Sequence, residues 1–373
     1  VRFICANTHP DHDSICTFRR ENKKAFEAAF VTVLQLAHQL RLTRVGTVSV
    51  DGTKMQANAS KHAAVSYQRA GELITRFQLE VAELTSRAEQ ADVQQSKEPL
   101  DIPAELARRE KRIESLNRAR AIIEAQAKEM ATAKQAEHQA KVGERQAQRD
   151  AGKKPRGPEP KAPDDKPDGK DQYNFTDPES RIMKAGNGKH FEQAYNAQAA
   201  VDEAMLIVGQ RVSVAANDKQ ELAATVQTIS PVVKAEVKAV LADSGFYSEA
   251  QVRAAEQPGD GTASGLTVYA AVDKQSHHKR VADLLPQPEP APLAENASAR
   301  EKMAHRMKTQ TGRTLYKLRK QTVEPVFGII KEIMGFRRFL LRGREKVSLE
   351  WLLVCVSYNL KRLFTLKNLA VTG

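Results

Sequence analysis

Apolar positions fall into three regimes along the chain. Between Phe18 and Leu40, residues Phe26, Phe30, Val33, Leu34 and Ala37 recur at helical spacing and predict a helix. Thr43 to Val50 then reads as a strand marked by Val45, Val48 and Val50, with the Asp51-Gly52 dipeptide closing it. From Tyr67 the pattern narrows to one seam, because Ile74, Phe77, Val81, Leu84 and Ala88 alternate steps of three and four. Pro99 and Pro103 interrupt it, and a second seam follows through Leu106, Ile113, Leu116, Ile123 and Met130. Two polar helices around a proline-bearing turn predict an antiparallel helical hairpin. Gly152 to Gln172 has no periodicity and is rich in Pro, Lys and Asp, so it reads as a linker.

Beyond the linker, strands and helices mix. Tyr195 to Val201 and Met205 to Val214 read as neighbouring strands around an Asp202-Glu203 turn. A helix is predicted over Asp218 to Val226, a short strand over Val237 to Ala242, and a helix over Ser248 to Ala255 with Ser248 as its cap. Leu266 to Val272 is a further strand. Loops are expected around Gln257 to Gly265 and over the Pro-rich Pro286 to Ser298, and helices over Thr314 to Ile333 and Leu349 to Phe364. The predicted class is α/β, a mixed sheet flanked by helices and interrupted after its first strand by a long helical hairpin.

Charge changes the picture next. The 373 residues carry 58 Lys and Arg against 46 Asp and Glu, a net charge of +12, which favours a polyanionic partner and nucleic acid first. Residues 311 to 373 hold 13 of those basic groups against four acidic ones, so most of the surplus sits in the last sixth of the chain. There Arg337, Arg338, Arg342, Arg344 and Lys346 lie beside Phe336 and Phe339, a pattern suited to phosphate contacts and equally to a solvated helix face. The longest apolar run, Trp351 to Val356, is too short to span a bilayer. With three widely spaced cysteines, Cys5, Cys16 and Cys355, reduced thiols and a cytoplasmic setting are expected. Cys5, His9, His12 and Cys16 could ligate zinc, but their spacing reads better as a polar turn leading into a helix. These features exclude a secreted mini-protein, an integral membrane protein and a collagen-like chain. The start at Val1 reads as a missing upstream part.

Three carboxylates stand at element ends. Asp51 ends the strand in TVSVDGT, Asp243 ends the strand in AVLADSGFY, and Glu324 precedes Pro325, which is expected to open a helix. Each has a plain structural reading as a turn or helix-start residue. Together they form the hard-oxygen set that Mg²⁺ binds alongside phosphate. Two such ions, about 4 Å apart, can serve the attacking and leaving oxygens of a phosphoryl displacement.

The chain resembles bacterial insertion-sequence DDE transposases. The resemblance rests on VDGTKMQANASK (50–61), TDPESRIMK (176–184), YNAQAAVD (195–202), ADSGFYS (242–248) and YKLRKQTVEPVFGIIK (316–331), which come in the family's order. The last segment carries a Tyr-Arg-Glu-Lys signature as Tyr316, Arg319, Glu324 and Lys331. Four residues separate Arg319 from Glu324 where the commonest form has three, so either Arg319 or Lys320 fills the arginine position. The resemblance implies an RNase-H-like catalytic fold in which Asp51, Asp243 and Glu324 are catalytic and bind two Mg²⁺ or Mn²⁺ ions. It implies that Tyr316, Arg319 or Lys320, and Lys331 grip DNA phosphates; Arg337, Arg338 and Arg342 of the basic cluster are expected as further DNA contacts. The implied activity is metal-dependent cleavage of double-stranded DNA at the element's ends, then strand transfer to target DNA. A homodimer assembled on DNA and a nucleoid-associated cytoplasmic location go with it, without membrane contact. The implied division is 1–43 for the tail of an N-terminal helical region, 44–65 for the first part of the catalytic domain, 66–150 for a coiled-coil-like insertion, 151–172 for the linker and 173–373 for the remainder. A DNA-binding copy without catalysis and a helical scaffold with a basic anchor are the alternatives.

Overall fold

The computed structural model describes residues 9–94, 100–150, 158–185, 190–257, 265–273, 288–294 and 297–372, with Gly152 and Gly188. Cys5, Pro99, part of the expected linker, most of the Gln257 to Gly265 loop and part of the Pro286 to Ser298 loop lie outside the described residues. The chain divides into two compact units, Val1–Asn58 with Glu179–Gly373, and Ala59–Pro178.

The first unit is a mixed α/β structure with a six-stranded mixed sheet. Its strands are β1 (Thr47–Gln56), β4 (Arg181–Lys184), β5 (Phe191–Asp202), β6 (Ile207–Ser213), β7 (Ala239–Ala242) and β8 (Thr267–Ala270); two short strands, Ala64–Ser66 (β2) and Gln172–Asn174 (β3), belong to the other unit. β1 lies at the centre, antiparallel to β5 and parallel to β7, and β7 is parallel to β8. Both β4 and β6 pair with β5. β1 and β5 read as apolar runs because the sheet is covered: Val48, Val50, Tyr195, Ala197, Ala199 and Val201 are fully buried.

Helices α1 (His12–Glu21) and α2 (Lys23–Gln39) stand where one helix over Phe18 to Leu40 was expected. The break falls at Asn22, whose side chain donates to the Phe18 carbonyl and ends the first helix. Phe30, Val33, Leu34 and Ala37 form the buried stripe of α2. α5 (Leu222–Gln227) is shorter than expected, since Asp218 is held by partners in the sheet and keeps residues 214–221 irregular. α6 (Pro231–Lys234) leads into β7, and α7 (Glu249–Glu256) follows it. Ser248 occupies the N-cap position of α7, yet its side chain makes no capping bond.

The C-terminal helices are α8 (Ala299–Lys308), α9 (Gln310–Gly328) and α10 (Arg344–Thr372). Ser298 and Glu301 cap α8 reciprocally, and the Thr309 hydroxyl accepts the Gly312 N–H at the start of α9. Pro325 does not open a helix but lies inside α9. Burial of Thr322, Val323, Val326 and Phe327 carries α9 through the missing N–H of the proline. A π-helical turn, Ile329–Ile333, follows. α10 is fastened to β6 by Asn359, which accepts the Ile207 N–H at 2.9 Å and donates to its carbonyl at 2.8 Å. The Trp351 indole donates to the Gln198 carbonyl and stacks on Phe327 of α9.

The second unit holds the ribbon β2 (Ala64–Ser66) and β3 (Gln172–Asn174) with helices α3 (Tyr67–Gln94) and α4 (Ile102–Asp150). The helices run antiparallel: Tyr67 donates to Glu124 at 2.7 Å, and Arg109 of α4 pairs with Glu80 of α3. Val65, Ala70, Ile74, Leu116 and Ala119 are their shared core. Met130 is exposed because it lies beyond Glu124, the partner of the first residue of α3.

Candidate active site

β1 does not end at Asp51-Gly52; it continues to Gln56. A hairpin turn there is overruled by the long pairing with β5, in which Asp51 faces Ala199 and Gly52 faces Gln198. Alternation along the strand sends Ser49, Asp51 and Thr53 to the side covered by α9. A 2.7 Å hydroxyl–hydroxyl bond between Ser49 and Thr322 fixes α9 on this side. Gly52 and Lys54 face the other side, where there is no room for a Cβ on Gly52: Gln198 Nε2 would lie 2.2 Å from it.

The pairing of β1 with β7 ends at Ser49 and Leu241. Two residues further on each strand come Asp51 and Asp243. Asp243 sits in the turn after β7, where its Oδ1 accepts the Gly245 N–H at 2.8 Å. Its turn reading is therefore fulfilled, and the same turn holds its carboxylate near Asp51. Glu324 joins from α9 through Arg319, whose guanidinium lies 3.3 Å from Asp51 Oδ2 and 2.9 Å from Glu324 Oε1. Burial and the Asp243 charge push the Asp51 carboxyl up to about 7, against the pull of Arg319 and the Gly52 N–H.

The basic residues divide by position. Arg319 is buried, and its guanidinium carbon stands 5.9 Å from the Tyr316 ring, while Lys320 is exposed. Burial raises the Tyr316 phenol and lowers the Lys331 ammonium. Lys331 projects from the π turn and donates to Thr53 Oγ1, two residues along β1 from Asp51. Arg337, Arg338 and Arg342 are exposed and follow the far end of β1 instead. Arg337 pairs with Glu332, Arg338 bridges to Gln56 through the backbone, and Arg342 donates to the Asn58 carbonyl.

Asp218 was missed as a site residue. It accepts from Asn196 at 2.6 Å, from Gln198 at 2.8 Å and from Lys54 at 3.3 Å on the Gly52 side of β1. Its charge adds to the upward push on Asp51. The available signal was the polar Asn196 and Gln198 alternating inside the otherwise apolar strand YNAQAA.

Residues 289–364 match the family described as Transposase DDE domain. Over this stretch the chain is similar to the insertion-sequence DDE transposases. The matched part contains Tyr316, Arg319, Glu324 and Lys331, and Asp51 and Asp243 lie outside it. No curated protein and no solved structure matches the chain. The family works on DNA and generally uses divalent metals. Asp51, Asp243 and Glu324 supply hard oxygen donors, the chemistry that Mg²⁺ and Mn²⁺ require. Among the described residues no three metal-binding side chains stand together as a finished ion cage. Between Asp51 and Glu324 stands the Arg319 guanidinium. No helix among the described residues is long and apolar enough to cross a membrane.

Proposed function

We propose that the protein cuts DNA at the ends of its mobile element and joins the freed ends to target DNA, with Asp51, Asp243 and Glu324 holding two Mg²⁺ or Mn²⁺ ions. The observation that supports this most is the shared side of the sheet. Asp51 and Asp243 stand beyond the last paired residues of neighbouring parallel strands, and Arg319 links Asp51 to Glu324. The strand order, with β1 flanked by antiparallel β5 and parallel β7, fits an RNase-H-like reading. On that reading residues 59–178 are a unit set between the first strand and the rest of the catalytic domain.

Bound ions would activate the attacking oxygen and neutralise charge on the phosphate. The chain's own groups orient the DNA. Tyr316 and Lys331 flank the carboxylates and meet the scissile phosphate, while Arg337, Arg338 and Arg342 hold the backbone further along β1. In the first step water displaces the 3′-oxygen from phosphorus; in the second, the freed 3′-hydroxyl attacks a target phosphodiester, forms a new P–O bond and expels the target strand's 3′-oxygen as a hydroxyl. No protein nucleophile is required, which suits a site built from carboxylates and cations. Two copies acting together on paired ends, in the cytoplasm at the nucleoid, complete the proposal.

The test uses duplex DNA carrying the element's ends. The parent should nick it only with Mg²⁺ or Mn²⁺, and Asp243→Asn should bind the same DNA without nicking. Cleavage by Asp243→Asn at the parental rate would remove Asp243 from the triad. Binding without metal-dependent cleavage by the parent would leave a DNA-binding protein that has no catalysis.

A further inference from the structure

We propose that Arg319 is an internal competitor for the divalent ion: its guanidinium occupies the space between Asp51 and Glu324, and a cation can bind the two carboxylates only when the guanidinium withdraws. The inference rests on the metal triad proposed above. It explains an otherwise odd placement, in which a fully charged side chain is 8% exposed and makes charge-assisted contacts to two members of that triad.

Helix geometry accounts for how the arginine gets there. At about 100° per residue, a side chain five positions before Glu324 points about 140° away around α9, towards β1. One four positions before it lies only about 40° away, on the same exposed strip. Lys320 holds that second position and is solvent-facing; Arg319 holds the first and reaches into the sheet. The extra residue between Arg319 and Glu324 therefore turns a pairing along the helix into a bridge between helix and strand.

The bridge is incomplete, which makes it displaceable. Arg319 uses both terminal nitrogens on the carboxylates, yet its buried Nε has no hydrogen-bond partner among the described residues. The Tyr316 ring, 5.9 Å from the guanidinium carbon, offers a face along which the cation can withdraw. Asp243 accepts the Gly245 N–H, so one triad carboxylate stays outside the bridge as a first foothold for the ion.

The experiment measures Mn²⁺ affinity of the full chain by the electron spin resonance of free Mn²⁺, in the parent, Arg319→Gln and Arg319→Lys. Arg319→Gln should bind Mn²⁺ more tightly, on the order of tenfold, because the ion no longer displaces two charge-assisted bonds. Arg319→Lys, which restores the charge without the fork, should fall between Arg319→Gln and the parent. Replacing an arginine that served packing alone would leave Mn²⁺ binding equal or weaker, so tighter binding supports the competition. Thermal melting gives a second readout: Arg319→Gln should melt below the parent without metal and gain more from added Mn²⁺. Equal or weaker Mn²⁺ binding by folded Arg319→Gln, with the parent still binding, overturns the competition and leaves the triad. No Mn²⁺ binding by any of the three overturns both.

Discussion

Replacing Asp51 by Asn removes one charge from the centre of the sheet and preserves its shape. In the parent the folded chain keeps a proton on Asp51 up to about pH 7, whereas the unfolded chain releases it near about pH 4. The folded pKa is raised, so the folded state binds more protons across that window and stability falls as pH rises through it. Roughly three pKa units, at about 1.4 kcal/mol each, set a ceiling of about 4 kcal/mol. Asp51 keeps 18% of its side chain exposed, and solvent screening brings the expected effect down to about 2–3 kcal/mol. The variant lacks this titration, so its stability relative to the parent should grow by that amount between about pH 4 and about pH 8. Urea unfolding followed by circular dichroism measures the gap at several pH values, with the slope m checked for constancy. A gap that stays flat or narrows as pH rises would refute the claim that burial and Asp243 hold the Asp51 proton.

Three further outcomes follow from particular contacts. Gly52→Ala should cost about 1–3 kcal/mol in urea unfolding, because the new methyl meets Gln198, Asp218 and Asn196 at 2.2, 2.7 and 2.8 Å. Asn359→Leu should lower stability by about 2–4 kcal/mol, since both backbone groups of buried Ile207 lose their partner; a variant as stable as the parent would mean that water or another side chain replaces it. Lys331→Gln should weaken DNA binding with little dependence on sequence and reduce the slope of log affinity against log salt by about 0.9, read from titrations at several salt concentrations.

Much of the sheet was legible because strand residues announce burial. The valines of β1 and the small apolar residues of β5 mark covered strands, and both seams of the hairpin face inward up to Ile123, with Met130 left exposed. The errors came where tertiary partners overrode local chemistry. Asp51-Gly52 has turn composition, yet β5 pairs through it, and the glycine serves close approach by Gln198 instead of a reversal. Glu324-Pro325 reads as a helix start, but the buried side chains around it keep α9 intact. Asp218 resembles a helix-opening residue until Asn196, Gln198 and Lys54 claim it from across the sheet. The choice between Arg319 and Lys320 needs the direction of α9 relative to β1, which spacing along one helix does not contain.

The alternation of β1 has a consequence for how this chain tolerates change. Odd-numbered positions (Ser49, Asp51, Thr53) serve the proposed chemistry, and even-numbered ones (Gly52, Lys54) serve the polar lattice beneath. A single-residue insertion upstream of Ser49 would swap these parities wholesale, driving a carboxylate into Gln198 and handing α9 a glycine. A two-residue insertion would restore them after a shift of one pleat. Length variation in this strand should therefore be survivable only in even steps.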